Sequence, residues 1–462
     1  MSGYRAQVAV VGGGLAGITA ALSAADAGAA VILYEARREL GGLTRSFVRN
    51  GPAGRLEVDS GQHVFLGCCT AYRRLIRRLD AEPLVALQPR LDVPMIGADR
   101  AARLHADRLP PPLHLARSMI GFGWLSWSER ARVATALSAL GDLDPNDPAS
   151  DAQTFGQWLR DHGQSERAIA LLWDLIGLPT LNARADVASL ALAAIVFRTG
   201  LLTSRDASAI GWPLAPLRRL HHDAAAAALD TADVELRTRT AITDLDHLSE
   251  ADRVIIATPP PIAERLLPAG AIDRTPGWAN RLGAVPILNL HFIFDRTVTE
   301  EKMLAAVGSP LQWIFDRTRP AGLHSGQYLA ISLSGADDLV GLPAAELRAR
   351  FEPELHRLLP ASSGARVIDY FVTRERQATF QPAPGQATLR PEAVTRDPRL
   401  VLAGAWTATG WPATMEGAVL SGELAARIVL EQDHQQEQQQ QDHRAVDPPR
   451  SALARSADEV AV

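Results

Sequence analysis

Residues 7–35 read QVAVVGGGLAGITAALSAADAGAAVILYE, and the architecture of the chain follows from them. The apolar run Gln7–Val11 predicts a strand, the alanine-rich run Leu15–Ala27 has helical spacing, and Val31–Tyr34 predicts a second strand. Glycines join the first strand to the helix. A strand, a glycine turn, a helix and a second strand form the βαβ unit of a dinucleotide-binding sheet, so a chance glycine cluster is the weaker interpretation.

The glycine turn has the spacing GxGxxG at Gly12, Gly14 and Gly17. Gly12 permits the tight turn, Gly14 lets the backbone approach a pyrophosphate, and Gly17 lets the helix pack closely on the strand. The helix that opens at Leu15 and Ala16 directs its free N–H groups and its positive end toward the phosphates. The turn therefore predicts a phosphate-binding site at the start of this helix.

Glu35 ends the second strand and can accept hydrogen bonds from the hydroxyls of a ribose, while it would repel a 2′-phosphate. A second glycine pair follows closely. Arg45, just beyond it, can place a cation near the pyrophosphate, although an arginine on the protein surface is the alternative interpretation. The residues of this segment that we expect to bind the cofactor are Glu35, Ala36, Arg37, Gly41, Gly42, Leu43 and Arg45.

A glycine pair directly after the ribose-binding acid resembles an extension found in the amine oxidase and phytoene desaturase superfamily of flavoproteins. Residues 58–67, VDSGQHVFLG, resemble the segment of that superfamily that runs beside the flavin ring. The resemblance implies FAD as the cofactor, with Gly61 and Gln62 among its ligands. It also implies that His63 is the titratable group near the flavin, and a histidine satisfied by core hydrogen bonds is the alternative.

Residues 402–422, LAGAWTATGWPATMEGAVLSG, resemble the C-terminal flavin motif of the same superfamily, in which a helix points its N-terminus at the flavin. Ala405 stands where such proteins usually have aspartate, so the backbone N–H groups around Gly404 are left to hold the ribityl–phosphate portion. Ile242, from a predicted strand pair over Val234–Leu236 and Ala241–Leu245, is also assigned to the cofactor. The C-terminal residues assigned to the cofactor are Gly404, Ala405, Ala413, Thr414, Met415 and Glu416.

Further strands are predicted over Val254–Ala257 and Leu400–Ala403, which places the nucleotide domain in three separate stretches of the chain. We therefore expect an α/β fold, with a Rossmann-type FAD-binding domain and an inserted α+β substrate domain. The tail is rich in glutamine and has no hydrophobic periodicity, so it is predicted to be disordered. The predicted parts are 1–100, 225–262 and 398–430 for FAD binding, 101–224 and 263–397 for substrate, and 431–462 for the tail.

The residues of these motifs are most similar to those of the squalene-associated FAD-dependent desaturases, also called hydroxysqualene dehydroxylases. The matching segments are Asp59–His63, Leu178–Asn182 and Trp406–Glu416. This resemblance implies reductive removal of the hydroxyl of hydroxysqualene to give squalene, in hopanoid and triterpenoid biosynthesis. A carotenoid or phytoene-type desaturase, or an amine oxidase, is the first alternative. A non-catalytic prenyl-binding protein of the same fold is the second.

The implied reaction requires an acid, because a hydroxyl leaves an allylic carbon more easily once it is protonated. His63 and Glu416 are the candidate catalytic residues, and Glu416 has the alternative role of a helix cap. The sequence contains no second GxGxxG that would bind NADPH, so the electron donor stays open.

Three apolar segments favour a long-chain isoprenoid substrate, although core helices are an equal alternative. They are Leu113–Trp127, Ala168–Leu178 and Leu190–Leu202. The first also combines two tryptophans with an arginine, which suits a peripheral contact with the inner face of the cell membrane.

Composition narrows the class of protein further. The chain has 462 residues and a net charge of −5, and this balance gives no electrostatic reason to bind nucleic acid. The first residues enter a strand without a signal peptide, and no apolar run is long enough to span a membrane, so we expect a cytoplasmic protein. Two cysteines, Cys68 and Cys69, are adjacent and cannot form a disulfide framework. No metal site is predicted.

Overall fold

The computed structural model of the protein describes residues 6–446. Its strands are β1 (Gln7–Val11), β2 (Ala30–Tyr34), β3 (Ser46–Gly51), β4 (Gly54–Asp59), β5 (Phe65–Leu66), β6 (Val85–Leu87), β7 (Asp92–Ile96), β8 (Ala101–His105), β9 (Ile210–Pro213), β10 (Glu235–Arg237), β11 (Arg253–Ile256), β12 (Val285–Phe294), β13 (Met303–Ala306), β14 (Trp313–Asp316), β15 (Gln327–Leu333), β16 (Val367–Thr379) and β17 (Leu400–Leu402). Its α-helices are α1 (Leu15–Asp26), α2 (Thr70–Arg78), α3 (Ala116–Gly121), α4 (Trp127–Asp142), α5 (Pro148–Ala152), α6 (Phe155–Asp161), α7 (Glu166–Ala168), α8 (Asp174–Leu181), α9 (Leu190–Phe197), α10 (Ala225–Thr231), α11 (Pro260–Leu266), α12 (Trp278–Arg281), α13 (Ala344–Leu358) and α14 (Met415–Val446).

A parallel sheet with the strand order β10-β2-β1-β11-β17 forms the nucleotide domain. Its strands come from the three separate stretches expected from the sequence, so the predicted α/β fold is confirmed. The short apolar strands suit a sheet covered on both faces. Helices α1 and α14 pack together closely, and Gly422 permits this contact. A Cβ atom at that position would lie only 2.3 Å from the carbonyl oxygen of Ala16.

A second, seven-stranded sheet has the order β16-β12-β15-β14-β13-β7-β8 and is largely antiparallel. One face of its long strand β12 buries Leu288, Leu290 and Phe292 against α13, where Phe351 is fully buried. Side chains alternate along a strand, so Asn289 and His291 belong to the opposite face. Helices α4 and α6–α9 contribute buried residues to an apolar core that they share with the parallel sheet.

The structure differs from the sequence-based expectation at the first domain boundary. The expected boundary between residues 100 and 101 falls inside the turn of the β7–β8 hairpin, where the N–H of Gly97 donates to the carbonyl oxygen of Arg100 at 2.9 Å. Both strands belong to the seven-stranded sheet, so the second domain begins before β7.

The predicted strand over Ala241–Leu245 is not formed. A turn follows β10, and the chain then enters a short 3₁₀ helix over Leu245–Leu248. Asp244 starts this helix, because its carboxylate accepts the N–H of Asp246 at 2.9 Å. An aspartate in that position caps a helical turn and does not extend a strand.

Part of the expected disordered tail is helical. Helix α14 continues to Val446 through the glutamine-rich stretch, because glutamine favours helix and this stretch contains no proline or glycine. Residues 447–462, the remainder of the predicted tail, lie outside the described residues.

Candidate functional site

The first glycine turn, between β1 and α1, is closely packed at two positions and open at the third. A Cβ atom on Gly12 would lie 2.5 Å from the carbonyl oxygen of Ala257, and one on Gly17 would lie 1.8 Å from that of Gly12. A Cβ atom on Gly14 would meet no described atom closer than 3.9 Å, at the Cα of Gly42. Gly12 and Gly17 therefore let the elements pack, whereas Gly14 borders free space at the start of α1.

The second glycine pair lies directly against the first turn. The N–H of Gly41 donates to the carbonyl oxygen of Gly13 at 2.8 Å. A Cβ atom on Gly42 would lie 3.0 Å from the Cα of Gly14, so the two backbones face each other without side chains between them. Leu43 follows and is exposed. The fold thus brings together two glycine motifs that are separate in the sequence. Their backbones line one site at the start of α1, beside Leu15 and Ala16.

Glu35 is fixed at the end of β2 by two hydrogen bonds. One carboxylate oxygen accepts the N–H of Gly13 and the other accepts the N–H of Arg37, both at 2.7 Å. The carbonyl oxygen of Glu35 accepts the N–H of Thr240 at 2.9 Å, which brings the chain that leads to Ile242 beside it. The carboxylate therefore lies next to the glycine turn, as a ribose ligand should, and Ala36 follows it on the exposed side.

Two arginines place positive charge at the same site. Arg37 donates a hydrogen bond to the carbonyl oxygen of Gly42 at 3.4 Å. Burial and the neighbouring Arg37 lower the pKa of Arg45, while Glu375 raises it. Two guanidinium groups that repel each other beside exposed backbone N–H groups suit a diphosphate. The open space at Gly14, the fixed carboxylate and these cations together fit the pyrophosphate and ribose of a dinucleotide such as FAD.

The C-terminal motif packs against the end of β11. Gly404 has a φ of 147°, and a Cβ atom on it would collide with the indole ring of Trp406. That indole donates to the carbonyl oxygen of Thr258 at 3.0 Å, while the buried hydroxyl of Thr258 has no partner among the described residues. Ala405 is half-buried, and its carbonyl oxygen accepts a hydrogen bond from Arg390 at 3.2 Å.

The start of α14 carries the last group of expected cofactor ligands. Ala413, Thr414 and Met415 lead into the helix, and the hydroxyl of Thr414 accepts the N–H of Gly417 at 3.1 Å. The helix N-terminus is therefore capped at Thr414. The backbone path agrees with the resemblance, and contact of these residues with the cofactor stays a prediction.

Glu416 connects α14 to α2. Its two carboxylate oxygens accept the N–H groups of Ala71 and Tyr72 at 2.9 and 2.8 Å, and the side chain is fully buried. Burial raises the pKa of Glu416, while the two N–H bonds lower it. A carboxylate with both oxygens engaged as acceptors is not arranged to give up a proton. The geometry favours a capping role for Glu416, at the start of α2 and not of its own helix, and its role as the acid stays a prediction.

His63 lies four residues after β4 and is partly buried. Its Nδ1 atom is 3.0 Å from the carbonyl oxygen of Gly61, so Nδ1 carries the proton of the neutral ring. Burial lowers the pKa of His63, and the hydrogen bond to Gly61 and the charge of Asp59 oppose this. His63 and Gln62 border a cleft whose other lining includes Trp212, Met303, Phe315 and Arg317.

The sequence could not show that Arg317 belongs to this site. It forms a buried ion pair with Asp59, with 2.5 Å between Nη2 and Oδ2, although the two residues are 258 positions apart. Asp59 also accepts the hydroxyl of Ser46 at 2.6 Å and the N–H of Leu217 at 2.9 Å. The pair joins the segment of His63 to the end of β14. It therefore connects the two-stranded sheet of β3 and β4 to the seven-stranded sheet at the cleft.

The apolar segments occupy three different environments. Leu190–Leu202 is mostly buried, in agreement with its interpretation as a core helix. Ala168–Leu178 contributes Ala170, Leu171, Leu175 and Leu178 to a cavity of about 280 Å³ that Trp313 also lines. Leu113–Trp127 lies at the surface.

The tryptophans of Leu113–Trp127 differ from each other. Trp124 is buried and 6% exposed, while Trp127 is 68% exposed and Ile120 60% exposed. The expectation that both tryptophans meet a membrane is therefore wrong for Trp124. In the described part of the chain, no helix is both long and apolar enough to cross a membrane. No cluster of potential metal ligands occurs among the described residues either.

Comparisons with known proteins match nearly the whole chain. The family model described as flavin containing amine oxidoreductase matches residues 15–430. A hydroxysqualene dehydroxylase of Sinorhizobium fredii is 28% identical, over 92% of this chain and 98% of that protein. A zeta-carotene desaturase of Capsicum annuum is 23% identical, over 94% of this chain and 82% of that protein. The solved structure of cyclohexylamine oxidase from Brevibacterium oxydans superposes with a TM-score of 0.66 at 20% identity, over 93% of this chain and all of that one, which supports the fold.

Proposed function

The chain is an FAD-dependent oxidoreductase that belongs to the flavin containing amine oxidoreductase family, and we propose that it converts hydroxysqualene to squalene for hopanoid and triterpenoid biosynthesis. The end-to-end similarity to a protein named hydroxysqualene dehydroxylase supports this proposal. The observation that carries it is the position of His63 at a cleft that Trp212, Met303 and Phe315 line together with the charged residues Lys302, Asp316 and Arg317. An acid beside apolar surface suits an alcohol carried by a hydrocarbon chain.

The proposed reaction replaces a hydroxyl with a hydrogen. The C–O bond breaks, a C–H bond forms at the same carbon, and water leaves, which consumes one hydride and one proton. Reduced FAD, when bound, supplies the hydride. The protein must supply the proton, because release of hydroxide among apolar side chains would be very costly.

His63 is the proposed proton donor. Its Nδ1–H is held by the carbonyl oxygen of Gly61, so the ring is fixed, and in the protonated ring Nε2 carries the proton that can be given away. Because burial lowers the pKa of His63, the protonated ring is a stronger acid than a histidine in water. The ion pair of Asp59 and Arg317 keeps the segment in place, and Glu416 holds α2 against α14.

The cofactor-binding roles of individual residues are part of the proposal. Gly14 and Gly42 leave room for the pyrophosphate, Glu35 would accept the ribose hydroxyls, and Arg37 and Arg45 would balance the phosphate charge. The remaining proposed contacts are Gly12, Leu15, Ala16, Gly17, Ala36, Gly41, Leu43, Gly61, Gln62, Ile242, Gly404, Ala405, Ala413, Thr414, Met415 and Glu416.

Product analysis tests the reaction. The purified protein, reduced without oxygen and mixed with hydroxysqualene, is expected to form squalene, and the oxidised protein is expected to form none. Formation of a more unsaturated product from zeta-carotene by the oxidised protein would favour the desaturase alternative. A purified protein without flavin that retains a prenyl chain would favour the non-catalytic alternative.

A peripheral membrane contact is also proposed, through the surface segment that exposes Leu113, Ile120 and Trp127. The guanidinium of Arg130 lies 4.5 Å from the ring centre of Trp127, so positive charge accompanies the apolar side chains. Replacing Ile120 and Trp127 with serine is expected to reduce flotation with anionic vesicles, while Val394→Ser, at another exposed position, should not. Equal flotation of all three proteins would exclude this segment as the contact.

A further inference from the structure

An unpaired amide lies in the middle of strand β12. Asn289 is fully buried, and neither its Oδ1 nor its Nδ2 atom has a hydrogen-bond partner among the described residues. Burial of an amide without partners is unfavourable, so native proteins seldom keep one unless something else pairs with it. Its strand is otherwise largely apolar, with the sequence VPILNLHFIF. A leucine there would extend the apolar pattern without this cost.

A second buried asparagine shows that this fold can satisfy such an amide. Asn182 donates from Nδ2 to the carbonyl oxygen of Val285 at 3.1 Å and to the hydroxyl of Thr379 at 2.9 Å. Its Oδ1 accepts the N–H of Gly335 at 2.7 Å. The amide of Asn182 thus connects α8 to the second sheet, whereas the amide of Asn289 makes no such connection.

The unpaired amide lies beside the proposed proton donor. A Cβ atom on Gly61 would be 3.8 Å from Nδ2 of Asn289 and 3.2 Å from Cε1 of His63. The amide and the imidazole therefore approach the same glycine. His291, two residues further along the same face of β12, is already paired, with the hydroxyls of Tyr328 at 2.7 Å and Thr373 at 3.0 Å.

We propose that Asn289 binds the hydroxyl of the substrate alcohol and makes the enzyme select an alcohol over a hydrocarbon of the same shape. The amide N–H donates to the alcohol oxygen, and the amide oxygen accepts the alcohol hydrogen. This inference rests on the proposed function and specifies how its substrate is recognised. His63 can protonate the oxygen that Asn289 holds.

The same amide would distinguish substrate from product. Squalene differs from hydroxysqualene by the missing hydroxyl, so it leaves the buried amide unpaired. A site that hydrogen-bonds a hydroxyl rejects the analogue without it, because its polar groups then lose their partner. Product release and rejection of carotenoid hydrocarbons follow from one side chain.

Asn289→Leu tests the assignment, with Ser332→Ala as the matched control, since Ser332 lies opposite Asn289 in the pairing of β12 with β15. Binding of hydroxysqualene and of squalene would be measured together with FAD content and thermal unfolding. The leucine variant is expected to lose roughly ten- to hundredfold of the preference for the alcohol. Its FAD content should match the wild type, and its unfolding temperature should not fall. Ser332→Ala should keep the preference.

Three results would overturn the assignment. One is an Asn289→Leu protein that turns over hydroxysqualene and keeps the wild-type preference. Another is a variant that loses FAD but keeps the preference, because the amide would then serve the cofactor. The third is a loss of the preference for the alcohol in Ser332→Ala as well as in Asn289→Leu, because the effect would then not be specific to the amide of Asn289. Asn289→Ala replaces the leucine variant if that protein does not fold. Failure of the wild type to form squalene is recognised separately and overturns the proposed function together with this inference.

Discussion

The two largest sheets of this protein, the parallel sheet and the seven-stranded sheet, contribute to the site in opposite ways. The parallel sheet offers backbone, because Gly12, Gly14 and Gly42 bring main chains together where side chains would collide or fill space. The antiparallel sheet offers side chains, with the buried Asn289 and His291 on one face of β12. The first region should fail when atoms are added, and the second should fail when functional groups are removed.

The largest effect should come from adding atoms to the parallel sheet at Gly14. Gly14→Val should abolish FAD binding, because the side chain would occupy the free space beside Gly42. The φ of −76° at Gly14 suits valine, so strain is not the cause. Flavin absorbance of the purified protein measures the result. Gly341→Val, where a Cβ atom would meet nothing within 4 Å, is the control. A yellow Gly14→Val protein with full flavin content would contradict the claim that the parallel-sheet region fails when atoms are added.

Removing the imidazole of His63 should leave flavin in place and stop turnover. His63→Ala and His63→Gln are expected to keep the flavin spectrum and to lose roughly two to four orders of magnitude in rate, the usual contribution of a general acid. His324→Gln, at an exposed histidine, should behave as the wild type. Squalene formation by reduced protein measures the rate. Wild-type rates in both His63 variants would make this histidine structural.

Glu35→Ala tests the side chain that is proposed to bind the ribose in a region where the backbone makes most of the cofactor contacts. We expect FAD binding to weaken by about 1–3 kcal/mol, because the ribose hydroxyls and the N–H groups of Gly13 and Arg37 would lose an acceptor. A fluorescence titration of the protein with FAD measures the change. Glu35→Gln keeps one acceptor and should lose less. An unchanged affinity in the alanine variant would exclude Glu35 from the ribose site.

The part of the molecule that could be predicted is the part whose residues lie close together in the sequence. The turn from Gly12 to Gly17 and the acid Glu35 lie within one βαβ unit, so their geometry follows from a few neighbouring residues. Arg317 and Asn289 reach the site from strands more than 200 residues away from His63, and no spacing in the sequence connects them to it. The only signal for Asn289 was a polar residue in a strand that is otherwise largely apolar.

Long-range contacts also decided the roles that spacing left open. The motif at the start of α14 supplied both a cofactor and an acid interpretation for Glu416. Its partners, the N–H groups of Ala71 and Tyr72, lie at the start of α2, more than 300 residues away. A carboxylate cannot be assigned as acid or cap before its partner is known. The same limit explains why Trp124, in an apolar surface segment, is buried.

The pH dependence of turnover tests the role of His63 in the unchanged protein. Because burial lowers the pKa of His63, the ring is neutral in most protein molecules at neutral pH. The fraction of molecules with a protonated ring, which can donate a proton, grows as the pH falls. The rate should therefore rise by at least about thirtyfold between about pH 8 and pH 5, with its midpoint below the ordinary value of about 6.5. Asp59 and Arg317 are the charged groups that act on the ring. A rate that is flat or rises with pH would contradict the role of His63.

The direction of electron flow tests the central claim most directly. The protein would be reduced without oxygen and mixed with hydroxysqualene while the flavin absorbance is followed and squalene is measured. We expect the oxidised flavin spectrum to return, with an equal amount of squalene formed. A reduced flavin that hydroxysqualene leaves unchanged, together with an oxidised flavin that zeta-carotene or an amine bleaches, would contradict the account and identify an oxidative enzyme.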